Sequence, residues 1–245
     1  MIDGLYAAAS GMNAQQSRMD SISVDLSNIN TIGYKSQHFG FEDLLYQYQG
    51  ANRAVLAGNT GSGVAGGVVD RAMTQGAIQQ TQNPLDLAVQ GSGFFQVRLA
   101  DGTVGLTRAG NFTLDAQRRL ATNDGNLVVP TLTIPINVPL ESVAVAADGT
   151  VTNGPTVLGK IQLVNVAAPQ RLTSLGSNLY APNADTGQPS AQGVGVIKQR
   201  ALESSNTDAS QSLTDMIQAQ RAYDLCSRAV RTWDEMLQTA NQIRR

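Results

Sequence analysis

The two ends of this chain carry one pattern and its middle carries another, and that division limits the fold more than any other feature. From the N-terminal side, apolar or small residues fall at Leu5, Ala8, Met12, Met19, Ile22, Leu26 and Ile29, with Gln15 in the remaining slot of a three-four alternation. At the other end Leu213, Met216, Gln220, Tyr223, Val230, Trp233, Leu237 and Ala240 step in the same way, with one slip around Cys226 and Ser227. Such spacing lines up along one side of an α-helix and makes a seam for a partner helix. Ala and Gln stand where a strong zipper has Leu and Ile, so neither helix is expected to be stable alone. Asn30, Thr31 and Gly33 predict the stop of the first helix, because glycine takes the left-handed conformation just past a last turn. Ser205-Asn206-Thr207-Asp208 reads as a capping box that starts the second near Asp208.

Between the ends the period changes. Residues 50–67 are rich in Gly, Ala, Asn and Thr with little periodicity and read as a connector. From Val68 to about Arg200, short apolar runs alternate with turns: Phe94 to Leu99 is followed by Ala100-Asp101-Gly102-Thr103, and Ala-Asp-Gly-Thr returns at 147–150. Asp-Gly between apolar runs signals a hairpin, because both central residues can take positive φ. Asn123-Asp124-Gly125-Asn126 marks a third turn, and prolines at 130, 135, 139, 155 and 169 disfavour long central strands. The expected fold class is α+β: N- and C-terminal helices pairing as a coiled coil, with a mostly antiparallel β domain inserted between them. The expected division is helix over 1–35, connector over 36–67, β domain over 68–203 and helix over 204–245.

Composition narrows the function. With 17 Lys and Arg against 19 Asp and Glu, a net charge of -2 gives no footprint for nucleic acid. Only Arg244-Arg245 clusters at a terminus. No basic residue precedes Arg18, so a secretory signal is not expected, and no apolar run approaches the roughly 18 to 20 residues that cross a bilayer, so neither is lipid insertion. The single cysteine, Cys226, excludes an intrachain disulfide and a zinc site of several thiolates, and reads as a small buried helix residue.

Candidate chemistry does not survive inspection. Gly61-Ser62-Gly63-Val64-Ala65-Gly66 has the spacing of a dinucleotide fingerprint but lacks the strand before it and the helix after it that such a site needs. His38, the only histidine, reads as solvated, and Ser92 lacks the spacing of a nucleophile elbow. The acid pairs Glu42-Asp43 and Asp234-Glu235 have nothing nearby to complete a metal site. Asn111-Phe112-Thr113 matches a glycosylation triplet that is common by chance. No catalytic residue, cofactor or metal is expected, and the chain is not read as an enzyme.

One stretch speaks to identity. Asp25-Leu26-Ser27-Asn28-Ile29-Asn30-Thr31-Ile32-Gly33-Tyr34-Lys35 resembles the signature of the flagellar basal-body rod and hook proteins, in which a helix ends in an Asn-rich turn before Gly-aromatic-Lys. Phe41 to Gln47, Gln75-Gly76 with Gln79-Gln80-Thr81, Asn83 to Phe95, Glu203 to Thr207 and Met216 to Tyr223 resemble the distal rod members of that family. Asp25 and Ser27 stand where the family usually has Asn and Ala, and the connector after Tyr46 looks shorter than in many distal rod members. The resemblance implies an inner tube of terminal helices with β domains outside, export through the flagellar type III apparatus without a cleaved signal, and residence in the periplasmic rod. The implied partners are other copies of the chain, other rod and hook proteins, and the export apparatus. The expected assembly interface is Leu5, Met12, Gln15, Met19, Ile22, Leu26, Ile29, Leu213, Met216, Gln220, Tyr223, Val230, Trp233 and Leu237. Alternatives are a proximal rod member of the same family and an oligomeric β-domain binding module.

Overall fold

The structure, a computed structural model, describes residues 2–45 and 61–243. Residues 46–60 of the expected connector and the Arg244-Arg245 pair lie outside the described residues, as do the side chains of Glu42, Asp43, Leu237 and Ala240. The chain forms two compact units, one of residues 1–27, 37–70 and 208–245, the other of residues 28–36 and 71–207.

The first unit is helical. Helix α1 spans Ile2–Ser27 and helix α2 spans Ala209–Ile243. Asp208 itself caps α2: its Oδ1 accepts from the backbone N–H of Ser210 at 2.8 Å and of Gln211 at 3.2 Å. Ser205, expected as the cap, instead exchanges hydrogen bonds with Thr207 through its Oγ. An acid is the better choice here, since its charge also meets the positive end of the helix dipole. Where a connector was expected over 36–67, strands Gln37–Leu45 and Gly61–Arg71 pair with each other. They lie on α1: the Asp25 carboxylate accepts from Gln37 N–H at 3.0 Å, Ser10 Oγ accepts from Val64 N–H at 3.2 Å, and Arg18 sits over the Phe41 ring.

The second unit is the β domain, and its recorded strand pairings are antiparallel. An eight-stranded sheet is built around Phe94–Arg98, which pairs with Val104–Thr107 on one side and Leu127–Val129 on the other. A three-stranded sheet of Val143–Val145, Thr150–Asn153 and Thr156–Lys160 stands beside two ribbons, Leu87–Gln90 with Val196–Gln199 and Ile78–Gln80 with Ala201–Glu203. The main core gathers Leu87, Val89, Phe95, Val97, Phe112, Leu120 and Val128 with Ile134, Val151, Ile161 and Ile197. A second cluster holds Phe94, Leu106, Val164, Leu172 and Tyr180.

The three expected turns are present, with one correction. Leu99 N–H bonds Thr103 O at 2.9 Å, Thr122 N–H bonds Asn126 O at 2.8 Å, and Ala146 N–H bonds Thr150 O at 2.9 Å. Only the glycines, at φ 85, 85 and 86, take positive φ; the aspartates do not. Asp101 and Asp148 act instead through their carboxylates, which accept from Thr103 and Thr150 two residues on.

Candidate assembly surfaces

Within the helical unit, α1 carries two stripes. Gly4, Ala7, Gly11, Ala14, Arg18, Ser21 and Asp25 follow the same three-four spacing as the apolar seam but one residue earlier, about 100° around the helix. From Gly4 to Arg18 this small and polar stripe faces α2, while Ser21 and Asp25 meet Gln37. A Cβ built on Gly4 would lie 3.2 Å from the Trp233 ring, one built on Gly11 would lie 3.3 Å from Cys226 Sγ, and Arg18 reaches Asp215 at 3.8 Å. As the α1 numbers rise the α2 numbers fall, so the helices run antiparallel. Ala14 and Ala219 are fully buried, because small side chains let the two backbones approach closely.

The apolar stripe is therefore not the one that α2 covers. Leu5, Met12, Gln15, Met19, Ile22 and Leu26 stand half-buried on the flank, and Gln15 Oε1 is buried with no hydrogen-bond partner among the described residues. Ile29 lies past the end of α1, in the turn that opens the β unit. On α2, Met216, Tyr223, Val230 and Trp233 are half-buried and share the inner face with Ala219 and Cys226, so the expected slip at Cys226 does not occur. Leu213, at 50% exposure, and Gln220 face outward, with Ile217, Leu225 and Met236 also exposed. The inner stripe escaped sequence reading because Gly, Ser, Arg and Asp score as polar; its signal was the repeat of small residues at the same spacing.

In the β unit, four of the segments that resemble rod proteins meet at one buried site. Lys35 and Glu203 are completely buried and Arg108 nearly so. Lys35 Nζ lies 2.6 Å from Glu203 Oε1 and donates to Thr74 O at 2.7 Å; Arg108 reaches Glu203 Oε2 at 3.2 Å and Gly91 O at 2.9 Å. Gly76 N–H also donates to Glu203 Oε1, at 2.9 Å. One carboxylate thus serves two cations and a backbone amide, and the Arg108 guanidinium covers the Phe94 ring. Burial pulls the Lys35 ammonium below its ordinary value against the opposing hydrogen bond to Glu203.

The backbone around this site leaves no room for other residues. Gly33 has φ 67, its N–H donates to Glu203 O at 2.7 Å, and a Cβ there would stand 2.6 Å from Ala109 N. A Cβ on Gly76 would land on the carbonyl oxygen of Ser204. The Gly-aromatic-Lys signature is thereby explained by packing: glycine admits the close approach, and lysine completes the buried charge group.

The features set aside in the sequence occupy ordinary positions. Gly61 to Gly66 lie on a strand, His38 is exposed on another, and Cys226 is half-buried opposite Gly11. Among the described residues, no three His, Cys, Asp or Glu side chains gather as metal ligands, and no helix is long and apolar enough to cross a membrane.

Comparison with known proteins follows the same division. The family described as "Flagella basal body rod protein" matches residues 5–35, "Flagellar hook protein FlgE/F/G D1 domain" matches 88–153, and "Flagellar basal body rod FlgEFG protein C-terminal" matches 198–243. The flagellar basal-body rod protein FlgG of Borreliella burgdorferi is 37% identical, with all of both chains covered. The FlgG of Caulobacter vibrioides is 38% identical over 99% of this chain and all of its own, and that of Agrobacterium fabrum 40% identical over 95% of each. With relatives matched from end to end, this chain belongs to the flagellar basal-body rod protein family.

Proposed function

We propose that this chain, a structural subunit of the distal flagellar rod, polymerises with copies of itself through the outer flanks of its helices and works as a drive shaft, not a catalyst. The observation that carries this reading is the pair of stripes on α1. The small stripe is occupied by α2 from Gly4 to Arg18, whereas the apolar stripe through Leu5, Met12, Met19, Ile22 and Leu26 is left half-covered. Completing the burial of five such side chains is worth about 1 kcal/mol each, the order of the cost of bringing two subunits together. Coiled-coil packing of α1 and α2 against neighbouring copies would use that flank, together with Leu213, Ile217, Leu225 and Met236. A repeated contact that does not close on itself yields a helical tube, in which torque passes through many side contacts at once.

The remaining roles follow from the rod assignment: contacts with other rod and hook proteins, and passage through the flagellar type III export apparatus without a cleaved signal. The free helical ends complete their order on docking, because stripes of Gly, Ala and Gln offset little of the ordering entropy. Substituting Met12→Glu with Met19→Glu tests the reading. Electron microscopy of basal bodies from cells carrying the variant should show the rod ending early with no hook, while the purified subunit keeps its circular dichroism. Rods of normal length carrying hooks would overturn it.

A further inference from the structure

The chain crosses between its two units after residues 27, 36, 70 and 207. On the β-unit side, one side chain ties three of these crossings together. Asn206 Oδ1 accepts from the backbone N–H of Ser36 at 2.8 Å, while its Nδ2 donates to Ala72 O at 2.7 Å and reaches Thr74 Oγ1 at 3.0 Å. The backbones add to this, with Ala72 N–H donating to Ser36 O at 2.9 Å and Asn206 N–H to Tyr34 O at 3.4 Å. Arg71, the first residue after its crossing, reaches Lys35 O at 3.5 Å and stacks on the Tyr180 ring. The site fits an amide and little else. An aspartate in this place would keep the acceptor for Ser36 but turn a carboxylate toward the carbonyl of Ala72, and an alanine would remove the side-chain ties and leave only the backbone bonds.

At the crossings after 36 and 207, slack is absent on the helical side as well. Within the helical unit, Gln37 N–H is held by the Asp25 carboxylate, so consecutive amides at 36 and 37 are each bonded within their own unit. Between Asn206 and the α2 cap Asp208 there is only Thr207, whose N–H is taken by Ser205 Oγ at 3.2 Å. Flexible linkers work by having several unbonded residues, and these crossings have almost none.

We infer that Asn206 is a positioning residue for load transfer: it holds the three crossings as one body, so that force on the β unit reaches the helices without the linkers stretching. The inference rests on the chain's reading as a drive shaft, and its test separates the two. In cells whose only copy carries Asn206→Ala, rods and hooks should assemble and swimming in dilute medium should match the wild type. As viscosity is raised, swimming speed should fall by a larger fraction than in the wild type. Asn206→Asp should behave as Asn206→Ala, which a space-filling role would not require. Wild-type speed for Asn206→Ala at every viscosity would overturn the inference while leaving the assembly reading intact. Should Asn206→Ala build no rods, inserting Gly-Ser-Gly between Thr207 and Asp208 leaves every bond of Asn206 in place. Assembled rods with the same load-dependent loss would support the inference, and unaltered swimming under load, or failure of this variant also to assemble, would overturn it.

Discussion

The β unit buries Phe, Leu, Ile, Val and even a Lys-Glu-Arg group, whereas the helical unit buries two alanines most deeply and leaves Leu213, Ile217, Leu225 and Met236 in the open. The first has used most of its large side chains to close on itself, with Ile136 and Val157 left exposed on a turn and an edge strand. The second has spent its small ones on an internal pair and kept many of its large ones outside. In a protein made to assemble, this teaches where to look for the partner: at the element whose apolar surface exceeds what its own fold covers.

The comparison breaks most completely at the boundary between the units. Residues 28–36 follow directly on α1 but belong to the β unit, so a chain lacking residues 1–27 should keep a cooperatively folded β unit, and one lacking 1–36 should not. Urea titration followed by circular dichroism of the sheets decides it; equal stability of the two truncations would show the signature segment to be dispensable. Next in size is Glu203→Ala, which leaves Lys35 and Arg108 buried without their counter-charge and should cost the β unit about 3–5 kcal/mol. A loss below 1 kcal/mol on the scale of an exposed pair would mean that water reaches the site.

Gly11→Val sharpens the comparison from the helical side. It should weaken the α1–α2 pair by about 1–3 kcal/mol through overpacking against Cys226 and leave the β-unit transition in place. A single shared shift of both transitions would contradict the independence of the two units.

How much of this was open to reading from residues alone varies with the range of the interaction. Helix ends and hairpin turns were legible because Gly33, Gly102, Gly125 and Gly149 act within a few residues. Both helices were legible as well, but the stripe that joins them was placed one residue late, since apolar weight drew attention to Leu5 and Met12 instead of Gly4 and Gly11. Ile29 was assigned to the helix although the Asn28 turn had already ended it, with Thr31 N–H bonding Asn28 O at 3.1 Å. The buried charge group was out of reach, because Lys35 and Glu203 are 168 residues apart and each looks like an ordinary surface residue until the sheet brings them together.

The smallest expected effect concerns acid. Hydrogen bonds from Thr103 and Thr150 hold the Asp101 and Asp148 carboxyls below the ordinary 3.8. Their contribution is present above 3.8 and is lost as pH falls through the depressed folded values. Asp101→Asn with Asp148→Asn should therefore flatten the loss of β-unit stability below that point and leave the helical unit's acid response as it was. An unchanged slope in the β unit would show these exposed turns to be thermodynamically silent.

Hydrogen exchange of the free subunit beside that of the assembled rod tests the central claim most directly. The account predicts that amides of 87–90, 94–98 and 104–107 exchange equally slowly in both, while those of α1 and α2 exchange faster in the free subunit and slow further in the rod. Helices as protected in the free subunit as in the rod would contradict it.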